Sequence, residues 1–318
     1  MQQCEYICFG GGSCKGVTYL GAIRAWERYV PLRLGMSLVE YCNQLKGFAG
    51  TSIGSIVALG LMLDLSAEQL SAIFSPYMSS PRSYVMSNPD VTRFVSEFGI
   101  DDGDRLRAAI SNILREGGLC EHITFQELKR LLRRNFVCVA TNLATTAPVH
   151  LSAETTPALR VVDGIYMSMC LPLVLAPLRY DGQYHIDGAC SENMPRCFPP
   201  ERTFHVDVEH RIANDVEITD VQQYFIAVMR MTVQPTKWFV GHSHMIVPIP
   251  DSYDRLMSKG QDFELTEPIV RDLVASGYAA VTVQFVPDVL TTLGLLIRFL
   301  YAVGLEAYST SEEGCVGC

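Results

Sequence analysis

The sequence predicts an α/β protein built on a mainly parallel central sheet with both faces covered. Short apolar runs alternate along the chain with segments of helical periodicity. Two of those runs end in glycine-bearing turns that lead straight into a helix. Hydrophobic residues make up 48% of the 318, which is enough apolar material to bury a sheet from two sides.

Residues 5–9 are a short apolar run ending in Gly10, Gly11 and Gly12, and residues 17–29 place Leu20, Ile23 and Trp26 near one helical face. This is strand, glycine turn, helix. Residues 45–50 repeat the arrangement, running into Thr51, Ser52, Ile53 and Gly54 before a nearly all-apolar stretch over 56–63. A helix that is apolar on all sides must be buried, so Ser52 falls where a central strand meets a core helix. Residues 76–89, rich in Ser and Pro, read as a loop.

Residues 104–115 and 124–134 carry amphipathic helical patterns, and Thr124 with Glu127 has the form of a reciprocal N-terminal cap. Residues 136–140 form a Val-rich strand. The turn signal Asp181-Gly182 leads to a further strand over 183–187, which stops at Asp187 and Gly188. No repeat, low-complexity tract or shift in composition divides the chain. One unit is expected over 1–284, with an apolar C-terminal helix and short tail over 285–318. Its apolar stretch, 289–304, is interrupted by Arg298 and falls short of the roughly 20 apolar residues of a membrane span. A packed helix or a membrane-contacting one remains open.

A net charge of −9 argues against binding to nucleic acid, which needs clustered cations to neutralise phosphate. The main basic cluster is Lys129, Arg130, Arg133 and Arg134, read as a solvated helix face or a site for anionic lipid headgroups. Eleven cysteines, an odd number without regular spacing, fit reduced thiols and an intracellular location. They make no zinc pattern with His242 and His244, so no metal is expected. The N-terminus has neither the charged nor the long apolar region of a secretory signal. Cys315 to Cys318 only outline a prenylation box, since Gly317 is not aliphatic and the final residue is Cys.

The strongest chemical signal is Gly50-Thr51-Ser52-Ile53-Gly54, the G-x-S-x-G nucleophile elbow. Small residues two places either side let the backbone turn sharply, and the serine stands at the positive end of the next helix. The cluster Gly10-Gly11-Gly12-Ser13-Cys14-Lys15-Gly16 fails as a P-loop because Lys15 precedes Gly16 without a following Ser or Thr. It fails as a dinucleotide fingerprint because Lys15 stands where the last glycine would be. A flexible turn or a nest of backbone donors for an oxyanion remains. A serine nucleophile also needs a base. His205, His210, His242 and His244 could complete a triad by chain order, and Asp187, followed by the small residues Gly188 and Ala189, is the competing base.

Together these residues resemble the patatin-like phospholipase family, over roughly residues 6–280. Its glycine-rich motif is matched at Gly11, Gly12, Cys14, Lys15 and Gly16, with Ser13 in place of the third glycine. Its serine motif is matched at Gly50, Ser52 and Gly54, and its D-G-[A/G] motif at Asp187, Gly188 and Ala189. Ile123-Thr124-Phe125 with Glu127-Leu128, Ser168 with Leu171-Pro172, and Asn193 with Pro195 resemble its flanking stretches. The resemblance implies a three-layer α/β/α sandwich and a catalytic Ser52–Asp187 dyad without histidine. It implies an oxyanion hole from the backbone of Gly11, Gly12 and Ser13, and no metal or cofactor. The implied activity is that of a phospholipase A or lysophospholipase on membrane phospholipid or another acyl lipid, working peripherally at a membrane surface, with a protein activator left open. A soluble triad esterase and a non-enzymatic lipid-binding protein are the competing expectations.

Overall fold

The structure is a computed structural model and describes residues 4–78, 90–210, 218, 224, 227, 243–258 and 265–285. Five parallel strands form its centre. β1 (Tyr6–Phe9) lies between β2 (Gly47–Thr51) and β9 (Thr203–Val208). β4 (Asn135–Asn142) continues the sheet beside β2, and β10 (Ser243–Val247) continues it beside β9. Three antiparallel strands complete it: β5 (Pro148–Ser152), β7 (Leu178–Tyr180) and β8 (Gln183–Asp187). A separate parallel pair joins β3 (Gly99–Asp101) to β6 (Leu173–Leu175).

The pairing of β4 positions the site. Val139 faces both Thr51 of β2 and His150 of β5, and Ala140 faces both Asp187 of β8 and Val149 of β5. A strand has two edges, so β5 takes one while β2 and β8 share the other, end to end. The rung that ends β2 is therefore next to the rung that ends β8, and Ser52 arrives beside Asp187.

Helices flank this sheet: α1 (Thr18–Leu34), α2 (Leu38–Gln44), α3 (Ile53–Met62), α4 (Ala67–Met78) and α5 (Val91–Glu97). α6 (Asp104–Glu116), α7 (Phe125–Leu132), α8 (Val161–Met169), α9 (Asp251–Ser258) and α10 (Glu267–Phe285) follow. One sheet face presents Ile7, Phe48, Phe136 and Phe204 in a single row, and these join the main core with Trp26, Ile56, Leu59 and Ile165. The opposite face carries Cys8, Ala49 and Val137, covered among the described residues by Met194, Cys197 and Phe198. α10 packs on α1 backbone to backbone: a Cβ on Gly21 would lie 1.8 Å from the Val274 carbonyl oxygen. None of the described helices is long and apolar enough to cross a membrane.

The α/β class and the mainly parallel sheet are as the sequence predicts, and so is the Thr124–Glu127 cap, closed by hydrogen bonds in both directions. Two readings change. α4 runs through Pro76 to Met78, because burial of Ala67, Leu70 and Phe74 carries the helix past the proline. The rest of that expected loop, 79–89, lies outside the described residues. Arg134 is not on a solvated face: it is buried beyond the end of α7 and donates to the Met62 carbonyl at 2.7 Å and the Cys42 carbonyl at 3.3 Å. It thereby satisfies a carbonyl at the end of α3 that the helix leaves open. The apolar stretch 289–304 and the terminal cysteines also lie outside the described residues.

Candidate active site

The elbow is built by backbone collision. A Cβ on Gly50 would sit 2.2 Å from the Gly54 carbonyl carbon, and one on Gly54 would sit 2.4 Å from the Phe9 carbonyl oxygen. Between them Ser52 adopts φ 54°, ψ −129°. For a side-chain-bearing residue this conformation costs about 1–3 kcal/mol and persists only where the surroundings enforce it. Ser52 is the N-cap of α3, whose helix dipole favours negative charge at that end.

Asp187 closes β8 and is 2% exposed. The Ser52 hydroxyl donates to its Oδ2 at 2.7 Å, and the Ala189 amide donates to its Oδ1 at 2.8 Å. Burial raises the carboxyl to about 6, against those two hydrogen bonds, which pull it down. The backbone is pinned as well: the Thr141 hydroxyl donates to the Asp187 carbonyl at 2.9 Å, and the Asp187 amide donates to the Cys170 carbonyl at 2.8 Å. Gly188 packs flat on β4, its missing Cβ leaving room for the Val139 carbonyl.

The glycine turn lies against this pair. A Cβ on Gly11 would come 3.3 Å from the Ser52 Cβ. The expectation that Gly11, Gly12 and Ser13 all offer free amides needs correcting, because the Gly11 amide already donates to the Asn193 carbonyl at 3.1 Å. No partner for the Gly12 and Ser13 amides is found among the described residues. Ser13, standing where the resemblance expects glycine, takes φ 49°, the left-handed backbone that glycine favours. Lys15 turns away, its Nζ lying 3.5 Å from the Glu209 carbonyl oxygen and 3.4 Å from His210 Nδ1. Gly16 makes room for the side chain of Ile53, the residue after Ser52.

Among the described residues no histidine bonds to Ser52 or Asp187. His205 is buried in β9 opposite Cys8, and His244 lies beside it on β10. His210 contacts the Asn193 amide group at 3.0 Å and Asp207 at 3.3 Å. His242 lies outside the described residues.

Sequence reasoning did not give roles to several neighbours of the pair. The fully buried Ser168 accepts the Ser52 amide at 2.9 Å and lies 3.0 Å from the Ser55 hydroxyl. Tyr19 donates to the Gly10 carbonyl at 2.8 Å and braces the glycine turn from α1. Ser168 and Asn193 stood in the flanking stretches of the resemblance, which was their signal. The Cys170 carbonyl and Tyr19 had none, since their contacts are made by backbone geometry and by distant packing.

The model of the patatin-like phospholipase family matches residues 7–196, more than half of the chain. A protein of Acanthamoeba polyphaga mimivirus, described as uncharacterized, is 22% identical over 196 residues, covering 61% of this chain and 60% of its own length. A probable lipid hydrolase of Invertebrate iridescent virus 6 is 22% identical over 194 residues, covering 59% of this chain and 61% of its own length. The chain therefore spans about three fifths of each viral relative. The crystal structure of VipD from Legionella pneumophila is similar in fold, with a TM-score of 0.51 and 14% identity over 89% of this chain and 67% of that one. By the family model and the motifs it covers, the chain belongs to the patatin-like phospholipase family.

Proposed function

We propose that the protein is a lipid acyl hydrolase of phospholipase A or lysophospholipase type, with Ser52 as nucleophile and Asp187 as its base. The observation that carries this reading is the 2.7 Å hydrogen bond from the Ser52 hydroxyl to a buried carboxylate at the N-terminus of α3. Family membership and the viral relative described as a probable lipid hydrolase support the substrate class. Asp187 takes the Ser52 proton as Oγ attacks the ester carbonyl carbon. The Gly12 and Ser13 amides and the end of α3 stabilise the oxyanion. Its collapse breaks the acyl–oxygen bond, and the protonated Asp187 returns its proton to the departing alcohol. Asp187 then activates water, which releases the fatty acid from Ser52.

Action at a lipid surface is supported by an apolar patch at the end of the sheet where β2 and β4 stop. Phe98 is 50% exposed and packs edge-on against Tyr184, while Leu173 faces Gly99 and is 40% exposed. The Leu143 amide donates to the Tyr184 carbonyl, which joins a further exposed leucine to the patch. Tyr184 is three residues from Asp187, about 10 Å along an extended strand.

The test is fatty acid release from vesicles of mixed phospholipid and lysophospholipid, with Ser52→Ala and Asp187→Asn at equal folded content. Both variants are expected to fall by about 10⁴-fold or more, to background. A wild type that neither cleaves nor reacts at Ser52 with a fluorophosphonate would overturn the proposal.

A further inference from the structure

We infer that the C-terminal end of α8 sets the spacing of nucleophile and base, and that Ser168 is the positioning residue through which it does so. The inference rests on the dyad reading above. Ser52 and Asp187 are 135 residues apart in the chain, and the Ser52 backbone occupies a conformation it would leave if released. Two atoms two residues apart on one segment hold them together. Ser168 Oγ accepts the Ser52 amide at 2.9 Å, and the Cys170 carbonyl accepts the Asp187 amide at 2.8 Å.

Both grips are on the backbone, so the hydroxyl and the carboxylate stay free to meet each other. They also come from the side of the sheet that carries the main core, for Gly164 of the same helix packs on Phe125 and Cys138. The β2–β4 and β4–β8 ladders fix the two residues within the sheet, and α8 fixes them across it. Ser168 reaches α3 a second time through Ser55. It is fully buried, so water cannot replace its hydroxyl as acceptor, and the Ser52 amide would be left unpaired without it. A misplacement of about 1 Å at a reacting group can cost about 100-fold in rate.

The experiment compares Ser168→Ala and Ser168→Cys with wild type on a soluble ester such as p-nitrophenyl butyrate. Rates are expressed per fluorophosphonate-titrated site and followed across pH. Ser168→Ala is expected to lower kcat by about 10- to 100-fold with KM unchanged, and Ser168→Cys, which keeps a weak acceptor, by less. The acidic limb of the profile should move upward, because loosening the Ser52 bond removes a contact that holds the Asp187 carboxyl down. The thiol of Cys170, which faces Asp187, is kept protonated by burial and does not contribute to this limb. Equal kcat per titrated site and an unmoved limb in whichever variant folds would overturn the inference, with activity lost only as folded protein is lost. Failure of the wild type itself to turn over would instead overturn the dyad.

Discussion

The two glycine turns that frame the site are opposite constructions. In the elbow, glycines at 50 and 54 are demanded by backbone atoms, and the strained residue between them has its amide taken by Ser168. In the turn after β1, Gly11 spends its amide on Asn193, while the amides of Gly12 and the strained Ser13 are left without a described partner. The elbow holds one side chain still. The other turn presents backbone donors, and it holds an exposed serine in the left-handed backbone where the family motif has glycine.

The sharpest way to break this contrast is Gly54→Ala. Its new methyl meets the Phe9 and Gly10 carbonyls at 2.4 and 2.6 Å, neither of which can rotate away. A loss of about 4 kcal/mol or more is expected, read as failure to accumulate folded protein or a collapsed denaturant midpoint. Next in size is the buried carboxylate that the elbow faces. Raising Asp187 to about 6 from an ordinary value near 3.8 corresponds to about 3 kcal/mol of disfavoured ionisation. The folded protein holds this proton more tightly than the unfolded chain, so stability falls as pH rises from about 4 to about 6 and stays lower above. Asp187→Asn is therefore expected to be inactive yet more stable than wild type at pH 8, by about 1 to 3 kcal/mol, with the gap closing near pH 4. Paired thermal melts at the two pH values check this. Under the proposed mechanism, wild-type turnover should run the other way and rise through a limb near pH 6, since Asp187 would act as base only as carboxylate.

The smallest effect is predicted in the open turn. Ser13→Gly removes a left-handed serine at an exposed position and should stabilise by about 1 kcal/mol or less, with activity within about twofold. A large loss of activity there would mean that the Ser13 side chain takes part in the chemistry and that the two turns are less different than their backbones suggest.

What could be read in the sequence follows the range of the forces involved. Gly50 and Gly54 were legible because they collide with atoms a few residues away or on the neighbouring strand, and any such elbow imposes the same spacing. Gln183–Asp187 was legible as a strand because a turn signal and a glycine bracket it. The partner of the Gly11 amide was not, since Asn193 lies 182 residues away and binds through its carbonyl, which any residue type supplies. Arg134 misled for a related reason: in the sequence it continues a basic helical run, but the helix stops at Leu132 and redirects it into the core. The proposed dyad rests in the sequence on the motif resemblance alone, since local pattern leaves histidines in contention.

The sharing of one edge of β4 by β2 and β8 has a consequence for how the protein comes to be active. The Ser52–Asp187 contact spans 135 residues and forms only when both strands have found β4 in register. A slip of one residue in β8 would turn Asp187 to the other face of the sheet. Contacts of such long range are expected late in folding, after local helices have formed. Reactivity of Ser52 toward a fluorophosphonate is thus a clock for the last step of assembly, and during refolding it should lag behind the recovery of helical signal.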